Sequence, residues 1–184
     1  KLFLNAGPGY GGSCLPKDMK ALINFAKASG INPTLLNAVE EVNTKQLEQI
    51  ILMIKQKLGN LASKKITILG TAFKPNTDDI RDSIAIELIK KLLNKKAKII
   101  IHDPKAMKNT QRIFKEKINY AKTIEDALAK SQCVIIMTQW KQYEKLNNNQ
   151  FKYMTRKFVI DCRRMLAKKQ LDVDYYAIGL GKQN

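Results

Sequence analysis

Acidic residues, arginine and histidine are scarce in this chain, and no long apolar run occurs in it. Its 184 residues carry 33 Lys and Arg against 16 Asp and Glu, a formal charge of +17. Such an excess raises nucleic acid as a partner, because clustered cations release counterions from a phosphate backbone. The distribution argues against it: only five of the basic residues are arginine, and the lysines fall mainly on polar faces of predicted helices, as in Lys90-Lys91 and Lys95-Lys96. Solvated faces need no partner, so nucleic acid is not expected. No apolar stretch reaches the roughly 18 residues of a membrane span, and no charged-then-apolar leader opens the sequence, so no membrane attachment is expected. Cys14, Cys133 and Cys162 form no CxxC pair, which argues against a zinc site and a disulfide framework and favours a reducing cytoplasm. A GxGxxG turn is also lacking. Gly70 stands alone after an apolar segment, which disfavours ordinary dinucleotide binding there.

What is present is a globular pattern. Apolar residues make up 45% of the chain in periodic blocks, enough for a core. Pro16 to about Ala28 reads as a helix stopped by Gly30. Pro33 opens a second, long helix with Leu35, Leu36, Val39, Val42, Leu47, Ile50, Ile51, Ile54 and Leu58 at helical spacing, ended by Gly59. Its apolar residues cover more than one face, so more than one neighbour is expected. From Lys65 the period changes: Ile66 to Gly70, Ala97 to His102, Cys133 to Thr138, Phe158 to Asp161 and Tyr175 to Ile178 read as strands. Helices are expected at Ser83 to Leu93, Met107 to Glu116 and Ile124 to Ala129. Continuous apolar strands alternating with helices imply a parallel sheet covered on both faces. The expected class is α/β: a long central helix followed by a Rossmann-like domain, with residues 1–60 and 61–184 as the two units and residues 60–65 a short hinge.

Chemistry concentrates in Gly9-Tyr10-Gly11-Gly12-Ser13-Cys14-Leu15-Pro16-Lys17-Asp18. Pro16 suits a first helical turn and Asp18 its exposed amides, so Cys14 lies just before the positive end of a helix dipole with a lysine three residues on. Both features favour a thiolate. The glycines leave backbone N–H groups free for an oxyanion or phosphate. On local chemistry alone, a structural cysteine beside a glycine-rich turn accounts for the same residues equally well.

The run Phe3-Leu4-Asn5-Ala6-Gly7-Pro8-Gly9-Tyr10-Gly11-Gly12-Ser13-Cys14-Leu15-Pro16-Lys17-Asp18 resembles the active-site signature of the UDP-glucose/GDP-mannose dehydrogenase family. Phe73-Lys74-Pro75-Asn76-Thr77-Asp78-Asp79-Ile80-Arg81-Asp82-Ser83 resembles a second signature of that family, and Asp161-Cys162-Arg163-Arg164 a third, in the family's order. The resemblance implies a four-electron oxidation of a sugar-nucleotide primary alcohol to a carboxylate with NAD. Cys14 would be the nucleophile, forming a thiohemiacetal and then a thioester, and Asp18 would activate or orient the hydrolytic water. Phe3, Leu4, Asn5, Ala6, Gly7 and Gly11 would enclose the substrate, Lys74 and Arg163 would bind it, and Lys17 and Arg81 would reach the cofactor. Asn5 stands where some members carry lysine. On the residues alone, the lesser alternative is that Arg81 pairs with Asp78, Asp79 or Asp82 to order its loop.

Within the family, Asn5-Ala6-Gly7-Pro8-Gly9-Tyr10 and Lys74-Pro75-Asn76-Thr77 look like the UDP-glucose branch, with UDP-glucose as substrate, whereas Leu15 after the cysteine is common in the GDP-mannose branch. The resemblance also implies a homodimer through the central helix, and a C-terminal part of a longer enzyme whose N-terminal NAD-binding domain is missing, so that this part alone would be inactive. A non-catalytic nucleotide-binding or dimerisation module stands as the alternative of another class. Asp103 reads as structural, because no phosphate loop accompanies it. The lone His102 reads as a surface or strand-end residue, Trp140 as packing, and Cys133 and Cys162 as buried small hydrophobes.

Overall fold

A computed structural model describes residues 7–180 of the chain. Two helices come first, α1 (Leu15–Ala28) and α2 (Thr34–Leu58). Pro16 sits in the first turn of α1, where its missing N–H costs nothing, and Gly59 ends α2 with a positive φ of 68°. Six strands follow, β1 (Lys65–Leu69), β2 (Lys98–His102), β3 (Asn119–Tyr120), β4 (Cys133–Ile136), β5 (Phe158–Asp161) and β6 (Asp174–Ala177). The helices α3 (Ile84–Asn94), α4 (Met107–Phe114), α5 (Ile124–Leu128) and α6 (Asn148–Phe151) connect them. Strand order is β3-β2-β1-β4-β5-β6, and every neighbouring pair runs parallel. Order reverses between β1 and β4. Their following loops therefore diverge and leave a crevice at the carboxyl edge of the sheet.

β1, β2, β4 and β5 are buried on both faces, as their unbroken apolar runs require. One core layer joins the sheet to the C-terminal half of α2 through Leu47, Ile50, Ile54 and Leu58, and to α3 through Leu88 and Leu92. The other, beneath α5 and α6, is built on Leu69, Val134, Ile136, Trp140, Tyr143 and Phe151. Ile54 is fully buried, so Ile54→Ala would cost about 2–5 kcal/mol. Thr67, the buried polar side chain of β1, bonds to the Ala127 carbonyl and the Ser131 hydroxyl, which spares an unsatisfied hydroxyl in the core.

Sequence periodicity misses two-residue β3 and one-turn α6, elements too short to carry a repeat. α6 instead carries a local signal, a capping box between Asn147 and Gln150. Because β3 intervenes, the strand preceding Trp140 is the fourth in the chain. In the segment expected as a hinge, Ser63 N–H donates to the Lys96 carbonyl at 2.8 Å, just before β2, and Leu61 is buried. The long helix behaves as two halves: its second half is core, whereas Leu35, Val39 and Val42 in its first half are exposed. Leu22 and Phe25 of α1 are exposed as well. No helix among the described residues is long and apolar enough to cross a membrane.

Candidate active site at the carboxyl edge of the sheet

The loop before α1 crosses the crevice and is held by backbone proximity. Asn43 of α2 grips Tyr10 from both sides: Tyr10 N–H donates to Asn43 Oδ1 at 2.7 Å, and Asn43 Nδ2 donates to the Tyr10 carbonyl at 3.1 Å. The Tyr10 hydroxyl donates to Glu40, and burial, with that carboxylate beside it, pushes its pKa up to about 12. Gly9, with φ 119°, leaves no room for a Cβ against Asn43 and Ile84. A Cβ on Gly12 (φ 91°) would lie 2.6 Å from the Phe73 ring, and one on Gly11 would overlap the Asp82 carbonyl. Close approach favours glycine at all three positions, and backbone conformation favours it also at Gly9 and Gly12. Asn43 and Glu40 went unnoticed in the sequence because polar residues three apart on a helix have many ordinary reasons to be there.

The cap position of α1 is held by Cys14, whose carbonyl accepts the Asp18 N–H at 2.9 Å, and whose side chain is exposed. Its sulfur lies 3.7 Å from the Ser13 hydroxyl. Lys17 and Asp18 occupy the same exposed first turn, 3.4 Å apart. Arg163 arrives from beyond β5. Asp161 fixes the turn that carries it, accepting the Arg163 N–H at 2.9 Å and the Leu166 N–H at 2.8 Å, while Arg163 Nε donates to the Met137 carbonyl at 2.8 Å. Burial lowers the pKa of Arg163 against the opposing pull of Cys162 and Asp161. The guanidinium ends beside Gly7, and Arg163 lines a small cavity with Pro8, Gly11, Phe73 and Met137.

Between β1 and α3, the loop supplies the other cations. Lys74 is exposed, its Nζ 5.2 Å from the centre of the Phe73 ring. Arg81 is clamped by Asp79, Nη2 to Oδ2 at 2.7 Å and Nε to both oxygens at 3.0 Å, which raises its pKa and lowers that of Asp79. The loop-ordering pair is thus present, with Asp79 as the partner. Arg81 also lies within electrostatic reach of Cys14. Gly7, Gly11, Cys14, Arg163 and the Phe73-Lys74 turn therefore converge on one edge, with Lys17, Asp18 and Arg81 exposed there. Phe3, Leu4, Asn5 and Ala6 lie outside the described residues.

The remaining sequence candidates separate cleanly. Cys133 and Cys162 are fully buried, and burial pushes both thiols up. Asp103 and Trp140 are buried and bonded to each other. His102 does end β2, but it is not at the surface: it is 7% exposed, with Nδ1 2.9 Å from the Tyr143 hydroxyl. A strand end is buried here because the loop after β4 folds back over it. Among the described residues no group of His, Cys, Asp and Glu side chains could hold a metal ion.

These features define a Rossmann-like α/β domain preceded by helices whose first loop brings an exposed thiol to the ligand edge of the sheet. Residues 67–168 match the UDP binding domain of the UDP-glucose/GDP-mannose dehydrogenase family and residues 1–45 match its central domain; the chain belongs to that family. It is 40% identical to a UDP-glucose 6-dehydrogenase of Haloferax volcanii over 96% of this chain and 40% of the relative, and 32% identical to one of Bacillus subtilis over 96% and 39%. The structure of a UDP-glucose dehydrogenase from Pyrobaculum islandicum superposes with a TM-score of 0.84 at 34% identity, covering 93% of this chain and 38% of that one. A GDP-mannose dehydrogenase structure, 21% identical with a TM-score of 0.79, shares the fold. The chain spans about two fifths of the length of the curated relatives it matches.

Proposed function

We propose that this chain is the substrate-binding and nucleophile-bearing portion of an NAD-dependent UDP-glucose 6-dehydrogenase, oxidising UDP-glucose to UDP-glucuronate in concert with an NAD-binding domain. The observation that carries this reading is the meeting of Arg163 with the glycine loop that leads to Cys14. A fixed guanidinium, Lys74 and the loop amides offer donors for a diphosphate, and the sugar then extends toward the helix start. Similarity at 40% to a UDP-glucose enzyme supports the uridine branch.

In this reading the Cys14 thiolate adds to the carbonyl carbon of a C6 aldehyde, and the carbonyl electron pair moves to oxygen, which takes up a proton. Backbone N–H groups at the start of α1 would steady that oxygen. Once this adduct has been oxidised to the thioester, water attacks its carbonyl carbon, the C–S bond breaks, and the sulfur leaves as thiolate. Asp18 would take the proton of that water. The first turn of this sheet does not fit NAD, since the Thr71 and Ala72 amides that would cradle a pyrophosphate already bond to Asp103. When bound from the exposed side by Lys17 and Arg81, a nicotinamide would supply the electron acceptor for both oxidations.

Leu35, Val39 and Val42, exposed along the first half of α2, support a homodimer through that helix, since exposed apolar side chains repeated on one helix gain by being covered. Three free cysteines suit a reducing cytoplasm. Calorimetric titration of the chain with UDP and with GDP tests the function: weak binding with preference for UDP is expected. A preference for GDP would move the chain to the mannose branch, and binding of neither would leave a non-catalytic module.

A further inference from the structure

Asp103, the residue just after β2, is 2% exposed and accepts five N–H groups. Its Oδ2 takes the backbone N–H of Thr71 at 2.7 Å, that of Ala72 at 3.0 Å and Trp140 Nε1 at 3.2 Å; Oδ1 takes Lys105 N–H at 2.9 Å and Ala106 N–H at 2.7 Å. These donors stand on three loops, after β1, β2 and β4. In a dinucleotide-binding sheet the amides of the first turn are left for the ligand's phosphates. Here an internal carboxylate takes both.

The rest of that turn is fastened as fully. Ser83 Oγ donates to the Thr71 carbonyl at 2.7 Å, Thr138 Oγ1 to the Ala72 carbonyl at 2.6 Å, and the Phe73 N–H to the Asp79 carbonyl at 3.1 Å. The next residues outward are Phe73, whose ring backs Gly12, and Lys74. Anchoring Thr71 and Ala72 therefore sets where Phe73 stands, and Phe73 sets both Gly12 and Lys74.

We propose that Asp103 is a positioning residue: a built-in anion that fills the phosphate turn of the sheet, orders the Phe73-Lys74 segment, and so moves nucleotide binding from the crevice to the rim beside Arg163. The part concerning nucleotide rests on the proposed function; the part concerning the loop does not.

The test uses the 184-residue chain without ligand, comparing wild type with Asp103→Ala by hydrogen exchange and by emission of Trp140, its single tryptophan. Removing the carboxylate strands buried donors, so exchange in residues 71–79 should accelerate about tenfold or more while β4 and β5 stay protected. Trp140 emission should shift. Formate, a carboxylate small enough for the vacated space, should return both readouts toward wild type. Exchange that rises equally through the sheet, a loop unchanged in Asp103→Ala, or failure of formate to restore it would each overturn the proposal. Should Asp103→Ala not fold, Asp103→Asn, which keeps the shape but turns an N–H₂ toward the donors, is compared with wild type by the exchange and emission criteria. Titration with UDP then separates the two levels. Wild type that binds no UDP defeats the proposed function and leaves the exchange result to decide Asp103; wild type that binds should lose about tenfold in affinity in Asp103→Ala and regain it with formate.

Discussion

Gly7 and Arg163, from opposite ends of the chain, share one space: a Cβ on Gly7 would lie 2.6 Å from Arg163 Nη1. The guanidinium cannot retreat without breaking its Nε bond to the Met137 carbonyl. A small residue at position 7 is thus a condition for the arginine to reach the site.

Gly7→Ala should push the guanidinium off its Nε bond to the Met137 carbonyl, so stability in urea should fall by about 1–3 kcal/mol and affinity for UDP should fall with it. Arg163→Ala should weaken UDP by about tenfold or more, the loss of charged hydrogen bonds to phosphate. Gly11→Ala differs, because its methyl meets the Asp82 backbone carbonyl. It should cost roughly 1–3 kcal/mol as overpacking. Calorimetry and urea melts distinguish the three.

Brief iodoacetamide treatment near neutral pH should label Cys14 far faster than Cys133 or Cys162. Cys14 is exposed at a helix start, whereas burial raises the other two thiols and bars the reagent. Peptide mapping reads the result, and equal labelling of all three in folded protein would count against the assignment.

In the proposed reading, with an NAD-binding domain supplied, Cys14→Ser should abolish net acid formation. Asp18→Asn should slow thioester hydrolysis more than the first oxidation, because only the later step needs an activated water. NADH release and intact mass of the covalent adduct are followed together. An Asp18→Asn enzyme with neither adduct nor NADH burst would show that Asp18 acts before acylation.

His102 should give the fold an acid limit. Burial is the main cause lowering its pKa from 6.5, opposed by Asp103 and Glu125, so the folded state holds the neutral ring. The unfolded chain then takes up the proton first. Stability contributed by this residue is complete above about pH 6.5 and is lost as pH falls through the lower folded value. Urea melts from pH 7.5 to 5 should show that decline, and His102→Gln should flatten it.

Much of this protein was written in its periodicities. Unbroken apolar runs such as Cys133 to Ile136 dictated parallel strands, since only a sheet covered on both faces hides them. Pro16, Pro33 and Gly59 bounded α1 and α2 because their backbone limits act locally. The three signatures named the loops of the candidate site, whereas the glycines around Tyr10 read only as a source of free backbone N–H groups. Tertiary structure decided everything that depends on distance through space. It chose Asp79 among three carboxylates for Arg81, brought Arg163 against Gly7, made Asn43 a clamp on Tyr10, and buried His102 under Tyr143. It also turned Asp103 inward onto amides that a lone Gly70 could not show to be occupied. Local sequence sets backbone preferences over a few residues, whereas such pairings come from the order in which strands join the sheet, where β4 lies beside β1 and the loops after β1, β4 and β5 meet at one edge.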